Sequence, residues 1–332
     1  MIEFKKYKGF LFVGDPHLTQ KRTRKRNDID LCTTILNKID QAVQIELDEN
    51  LYLVFLGDLF DDSGEQDIRM LTRLTRILNK LPHPPVTAEG NHEKTQTKLS
   101  DEVALKLLQE SKTIHVIEKN GIWAKFNFYD KIVYLGSTPY GDKIPQEVNL
   151  TEKQEAGSIV WLTHDNFDFG DSYPGVIPLK EIKGVDMLIN GHIHQTKKSF
   201  TLGKMRAHNP GNITRQTTDT IDHVPSVWKW IPEQIFELEP IVLTYEKEVF
   251  SMLAHTIDVD QPRSQIVDEL SIQQTSQFVD KMEELQHSEP NITQDASHLR
   301  ETIKLFSKGM KVDEEFTKEI LELLDESLIE NS

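Results

Sequence analysis

The sequence of 332 residues predicts an α/β fold. Three observations predict it. Residues 9–92 alternate short apolar runs with amphipathic helical stretches, several apolar runs end on a small residue followed by Asp, Asn or His, and the composition is that of an ordinary folded chain. At roughly 150 residues per domain the length allows one large or two modest domains. Hydrophobic residues at 37% and charged residues at 28% exclude the disordered and low-complexity classes. Cys32 is the only cysteine, so an intrachain disulfide and a thiolate zinc finger are both excluded. No apolar run approaches the roughly 20 residues that span a bilayer. The run 10–13 is shorter than a signal-peptide core of about 7 residues, so the expected location is cytoplasmic.

The elements follow in order. Residues 9–13 form an apolar run ending in Gly14-Asp15, and residues 28–47 carry Leu31, Ile35, Ile39, Ala42 and Val43 at helical spacing. Residues 51–56 repeat the strand signal and end in Gly57-Asp58. Residues 66–81 repeat the helical one, with Ile68, Leu71, Leu74, Ile77 and Leu78. Pro82, Pro84 and Pro85 stop that helix and lead to Val86, which heads for Gly90-Asn91-His92. This β-α-β-α-β order is the unit from which a helix-covered sheet is wound. Residues 113–135 read as short strands with Asn120-Gly121 as a turn. Strands are also expected over 158–162, ending at Thr163-His164, and over 185–189, ending at Asn190-Gly191-His192. Residues 205–208, 226–231 and 241–248 read as closing strands of a second sheet. Beyond Pro262 strand signals vanish and three helical stretches follow.

The formal charge of −16 argues against a nucleic-acid partner at first sight, because phosphate binding rests on positive potential. Its distribution changes that argument. Residues 251–332 hold 18 Asp and Glu against 7 Lys and Arg, so −11 of the total lies there and residues 1–250 carry only −5. The chain therefore divides into a nearly neutral body, 1–250, and an acidic helical segment, 251–332.

Five separated positions share one layout, an apolar strand, a small residue and then a side chain able to bind a metal. They are Asp15 with His17, Asp58 with Asp61, Asn91 with His92, His164, and His192 with His194. Ligands of open α/β sheets bind beyond the carboxyl ends of the strands, so these loops converge although they are distant in sequence. Carboxylates, imidazoles and an amide oxygen suit a pair of divalent ions about 3.5–4 Å apart, which can clamp the attacking and leaving oxygens of a displacement at phosphorus. Asp58 is the natural bridge, and a hydroxide between the ions can attack because metals depress the pKa of water.

The motifs Gly14-Asp15-Pro16-His17, Gly57-Asp58-Leu59-Phe60-Asp61, Gly90-Asn91-His92-Glu93, Thr163-His164 and Gly191-His192-Ile193-His194 resemble those of the calcineurin-like metallophosphoesterase superfamily. The resemblance covers about residues 9–215 and implies a four-layer α/β/β/α sandwich with a dinuclear site on one edge. It also implies that Asp15, His17, Asp58 and His194 hold one ion and Asp58, Asn91, His164 and His192 the other. Manganese is the expected metal, with iron, zinc and magnesium as alternatives. By the same resemblance His92 donates a proton to the leaving oxygen, and Asp61 orients His92 and favours its protonated form.

Within that superfamily the Gly-Asp-Leu-Phe-Asp block and the segment Asn209-Pro210-Gly211-Asn212 are most similar to SbcD-like DNA repair exonucleases, where serine is usual at the place of Asn212. Glu93 departs from the nucleases toward the phosphoprotein phosphatases, but the Asp-Arg-Gly of those phosphatases is replaced by Asp61-Asp62-Ser63. The expected function is DNA phosphodiester hydrolysis, with a phosphatase, a cyclic-nucleotide phosphodiesterase or a non-catalytic scaffold as alternatives. Lys21, Arg22, Arg24, Lys25 and Arg26 follow His17 in one loop and could lead a DNA backbone toward the site. The expected partners are DNA and, through the helices of 251–332, an SMC-type ATPase, with a homodimer left open. A small bundle folding on itself is the alternative reading of those helices.

Overall fold

The computed structural model describes residues 2–250, apart from 22–25, 27, 66, 95–98, 152–153, 171–176, 218–219 and 233–235. The acidic segment 251–332 lies outside the described residues, as do Arg22, Arg24 and Lys25.

Two mixed sheets carry the α/β fold. The first begins with β2 (Phe10–Val13), β3 (Tyr52–Phe55), β4 (Val86–Ala88) and β5 (His115–Ile117), all parallel, and is completed by β12 (Ser226–Trp230) and β13 (Glu239–Val242) in the order β13-β12-β2-β3-β4-β5. The second holds β1 (Ile2–Lys5), β6 (Gly121–Phe128), β7 (Lys131–Ser137), β8 (Ser158–Thr163), β9 (Met187–Asn190), β10 (Lys197–Leu202) and β11 (Met205–Asn209), in the order β1-β6-β7-β8-β9-β11-β10. Helices α1 (Leu31–Glu49), α2 (Ile68–Leu78) and α3 (Ala104–Glu110) join the early strands. Both long helices start where an aspartate can cap them. Asp30 accepts from Thr33 N at 2.9 Å and Asp67 from Met70 N at 2.6 Å.

The strand alternation explains the packing. Leu11, Val13, Leu53 and Phe55 face a core shared with Ile35, Ile39 and Leu74 of the helices. Phe10, Phe12, Tyr52 and Val54 point the other way, into a core shared with Phe126, Phe128, Val160 and Leu162 of the second sheet. Tyr134, Ile159 and Trp161 leave that sheet on its far side. Among the described residues they pack there against irregular segments carrying Ile144, Val148, Leu179 and Ile182 rather than against a helix. No described helix is long and apolar enough to cross a membrane.

The structure differs from the sequence reading at three places. Asn120-Gly121 is not a hairpin turn but the crossing between sheets, because β5 pairs with β4 whereas β6 pairs with β1 and β7. The hairpin turn lies at Tyr129-Asp130, with Tyr129 at φ 55°. Residues 226–231 do not close the second sheet. Strand β12 runs antiparallel to β2, pairing Trp230 with Phe10, so the chain returns to the first sheet. The run 241–248 yields only the end of β13, and α3, β1 and β10 carried no signal strong enough to place them.

Candidate metal centre

All five motifs lie just beyond strand carboxyl ends, β2, β3 and β4 in one sheet and β8 and β9 in the other. The backbone there turns sharply. Asp15, His17, Asp58 and His192 have φ of 29°, 46°, 46° and 70°, a left-handed conformation uncommon outside glycine. Strain of this kind persists where the surroundings over-determine it. The motif glycines have a steric reason. A Cβ at Gly90 would collide with Asp58 Oδ1, and at Gly191 it would stand 2.7 Å from His164 Nδ1 and 2.8 Å from Asp15 Oδ1.

The side chains meet. Asp58 Oδ2 lies 3.0 Å from His164 Nε2 and 3.6 Å from His17 Nε2. His17 Nε2 is 3.0 Å from His194 Nε2. The side-chain oxygen of Asn91 is 3.1 Å from His164 Nε2 and 3.0 Å from His192 Nδ1. Asp15 Oδ1 stands 3.6 Å from His164 Nδ1. Two groups, His17 with Asp61 and His92, and Asp58 with His164 and His192, have ligand atoms within 4.8 Å of one another. All seven residues expected to bind metal are thus brought to one edge, together with His92 and Asp61.

Several contacts require a cation or a proton to bridge them. His164 Nδ1 is 2.8 Å from the Leu56 carbonyl, which can only accept, so this nitrogen carries hydrogen and Nε2 is the one turned to the oxygens of Asp58 and Asn91. Neither oxygen of the fully buried Asp15 accepts a well-formed hydrogen bond among the described residues, nor does Asp58 Oδ2. Buried carboxylates without hydrogen bonds are costly unless a cation sits beside them. Imidazole nitrogens and carboxylate oxygens are also the ligands that divalent ions of the manganese, iron and zinc type accept, so these residues fit such ions.

Without a metal, protons share the charge within the cluster. Burial lifts the Asp15 carboxyl to about 6, with the charge of Asp58 adding to it. Burial opposes charge on Asp58 and His164 alike, yet their mutual attraction prevails. It holds Asp58 well below the usual carboxylate range and raises His164 to about 10. Burial and the His164 charge depress His192 to about 3. Burial and the nearby His17 depress His194 as well, leaving an imidazole lone pair available.

Asp61 meets His92 through its backbone. Its carboxylate turns to His17, with Oδ1 3.3 Å from Nδ1, and it is the Asp61 backbone carbonyl that lies 2.6 Å from His92 Nδ1. Burial works against protonation of His92, but Asp58 and the Asp61 contacts outweigh it and raise its pKa. The basic loop departs from expectation at Arg26. Arg26 is buried and bonds to Asp28 at 2.7 Å and 2.9 Å, and it donates to the Arg215 carbonyl. Lys21 is exposed and pairs with Asp62 at 2.7 Å.

Three residues at the site carried no role in the sequence reading. Glu93, buried, accepts from Gly90 N at 2.9 Å, from Asp58 N at 3.2 Å and from Leu59 N, fastening the Gly-Asp block to the Gly-Asn-His block. Asn190 and Asn209 bond to residues flanking the histidines. Only their places inside motifs could have signalled them.

Comparison with known proteins is consistent with this centre. Residues 9–196 match the calcineurin-like phosphoesterase family. No curated protein matches the chain. A solved structure described as a hypothetical protein from Thermus thermophilus aligns at 11% identity and a TM-score of 0.42, over 70% of this chain and 98% of that one.

Proposed function

Given that the chain belongs to the calcineurin-like phosphoesterase family, whose reaction is metal-dependent phosphoester hydrolysis, we propose that it hydrolyses DNA phosphodiester bonds as an SbcD-like nuclease. The hydrolytic part rests on the buried cluster of metal-competent side chains around Asp58 and His164, with both oxygens of Asp15 accepting no well-formed hydrogen bond among the described residues. The DNA part is supported by the place of the segment Asn209-Pro210-Gly211-Asn212, whose Asn212 N donates to the His194 carbonyl at 3.0 Å. Ile213 N donates to Gly14 O at 3.0 Å, so this nuclease-like segment borders two of the metal-binding motifs.

In this reading Asp15, His17, Asp58 and His194 would hold one ion and Asp58, Asn91, His164 and His192 the other, with manganese the expected metal. When bound, two such ions supply Lewis acidity and a water-derived nucleophile at neutral pH. His92 keeps Nδ1 on the Asp61 carbonyl and so presents Nε2 as the atom that protonates the leaving oxygen. Asp61 steadies His17 through its carboxylate and His92 through its backbone. Residues 251–332 would dock an SMC-type ATPase, and a second copy of this chain is a further candidate partner.

The test is degradation of end-labelled single- and double-stranded DNA with Mn2+, with His92→Ala alongside. The expected result is cleavage by the natural chain and a deep loss in the variant. Turnover of a phosphomonoester without any cleavage of oligonucleotides would overturn the DNA reading. Glu93 favours a second reading, since Gly-Asn-His-Glu is the form familiar from phosphoprotein phosphatases. A phosphopeptide in the same assay separates the two.

A further inference from the structure

We propose that Asn190 and Asn209 form a positioning clamp that sets where the two sets of histidines stand, controlling ion affinity without touching an ion. The inference rests on the reading that these histidines hold divalent ions.

Asn190 ends β9 and Asn209 ends β11, and the two strands run parallel with Ile189 paired to His208, so the asparagines are the next pair in register. Both are buried, at 0% and 1% exposure. Asn190 Oδ1 accepts from Thr163 Oγ1 at 2.9 Å and from Asp165 N at 3.1 Å. Its Nδ2 donates to Asp165 O at 2.9 Å and to Gly191 O at 2.6 Å. The Asn190 amide therefore grips both chain neighbours of His164 and ties them to the residue preceding His192. Asn209 Nδ2 donates to Ile193 O at 2.8 Å and to Gln195 O at 3.0 Å, gripping both neighbours of His194. The brackets join, because Asn209 Oδ1 lies 3.0 Å from Asn190 Nδ2 and shares one of its two hydrogens.

A purely packing role would not need amides here. The surrounding positions Leu188, Ile189 and Ala207 are apolar and fully buried, and burying an amide costs free energy unless each polar atom finds a partner. Both amides are satisfied, and apart from their mutual bond each contact goes to a residue adjacent to His164, His192 or His194. Groups that orient metal ligands from behind in this way change metal affinity by about 10–100-fold when removed.

The test uses the full chain and counts free Mn2+ by electron paramagnetic resonance during a titration, with thermal unfolding in EDTA as a second readout. The natural chain is expected to take up two ions. Asn190→Ala and Asn209→Ala are each expected to weaken at least one ion by about tenfold or more. Their double variant should lose less than the product of the single losses, because each single change already breaks the shared bond. Tyr52→Phe, which removes a bond to Pro84 O elsewhere in the fold, is expected to leave both ion affinities unchanged. Asn209→Asp keeps an oxygen for Asn190 but sets carboxylate against the Ile193 and Gln195 carbonyls. It carries the test should an alanine variant show no cooperative unfolding. Lowered unfolding temperature with natural ion affinities in these variants would overturn the clamp. A natural chain that binds no Mn2+ would instead overturn the ion reading on which the clamp rests.

Discussion

His92 Nδ1 meets the backbone carbonyl of Asp61 at 2.6 Å, while the Asp61 carboxylate stands 3.3 Å from His17 Nδ1. The orienting group for His92 is therefore one that no side-chain substitution removes. His92→Ala is expected to lower turnover by about 10²–10⁴-fold, the usual worth of a general acid. Asp61→Asn preserves the carbonyl contact and weakens the support of His17. It should raise the Mn2+ needed for half-maximal activity by about 10–100-fold while costing far less than His92→Ala at saturating Mn2+. Equal losses at saturating Mn2+ would place the Asp61 carboxylate on the proton path.

Glu93 fastens Asp58, Leu59 and Gly90 by their backbone amides. Glu93→Gln retains the shape but supplies one accepting oxygen instead of two, leaving at least one buried N–H unpaired. Burial lifts the Glu93 carboxyl to about 7, so above that pH it is charged. A hydrogen bond to a charged group is worth about 1.5–3 kcal/mol, and a loss of this order is expected in urea unfolding at pH 8 with EDTA present. An unchanged urea midpoint would show that these bonds do not hold the loop.

The centre was legible because its chemistry demands residue types that recur at strand ends. Asp15, Asp58, His164 and His192 could be named from small residues preceding them, and the strands before them from apolar runs. What was not legible depended on partners remote in sequence. Strand β12 reads like any amphipathic strand, and only its pairing with β2 through Trp230 and Phe10 sends it to the first sheet. Arg26 reads like its neighbours Lys25 and Arg24, and only the approach of Asp28 and the Arg215 carbonyl distinguishes it. Whether Asp61 uses its carbonyl or its carboxylate is a matter of backbone direction, which residue identity does not encode.

That burial of Arg26 separates two roles within the basic loop. Removing one partner of a buried ion pair costs about 3–5 kcal/mol, so Arg26→Ala should reduce unfolding free energy by that order. It should leave the salt dependence of DNA binding unchanged. Lys21→Ala should do the reverse, with near-natural stability and a slope of log K against log salt smaller by about 0.9 if the ammonium meets one phosphate. Loss of slope in Arg26→Ala at natural stability would return Arg26 to the DNA-facing surface.

Glu46 sits at 2% exposure in α1, and burial lifts its carboxyl to about 7 from an ordinary 4.5. Between those values the folded chain binds more protons here than the unfolded chain. The stability from this group is complete below about pH 4.5 and is lost as pH rises through 7. Glu46→Gln cannot ionise, so its stability relative to the natural chain should rise by on the order of 2 kcal/mol between pH 5 and pH 8. Urea midpoints at the two pH values measure it, and a constant difference would mean that the group keeps its ordinary pKa in the fold.

Asp15 gives the sharpest separation between stability and function. Its carboxyl is fully buried, accepts no well-formed hydrogen bond among the described residues and is pushed up to about 6 by burial and then by Asp58. Without an ion such a group is a liability, and an amide there carries no charge to desolvate. Asp15→Asn is therefore expected to match or exceed the natural chain in unfolding free energy with EDTA, by up to about 1–3 kcal/mol. With Mn2+ at a hundredfold excess over its dissociation constant, binding stabilises the natural chain by about 2.7 kcal/mol, and the weakened variant gains less. The order of stabilities should then cross when metal replaces EDTA. Asp15→Asn less stable than the natural chain in EDTA, with equal gains from Mn2+, would make Asp15 a structural carboxylate rather than one kept for a cation.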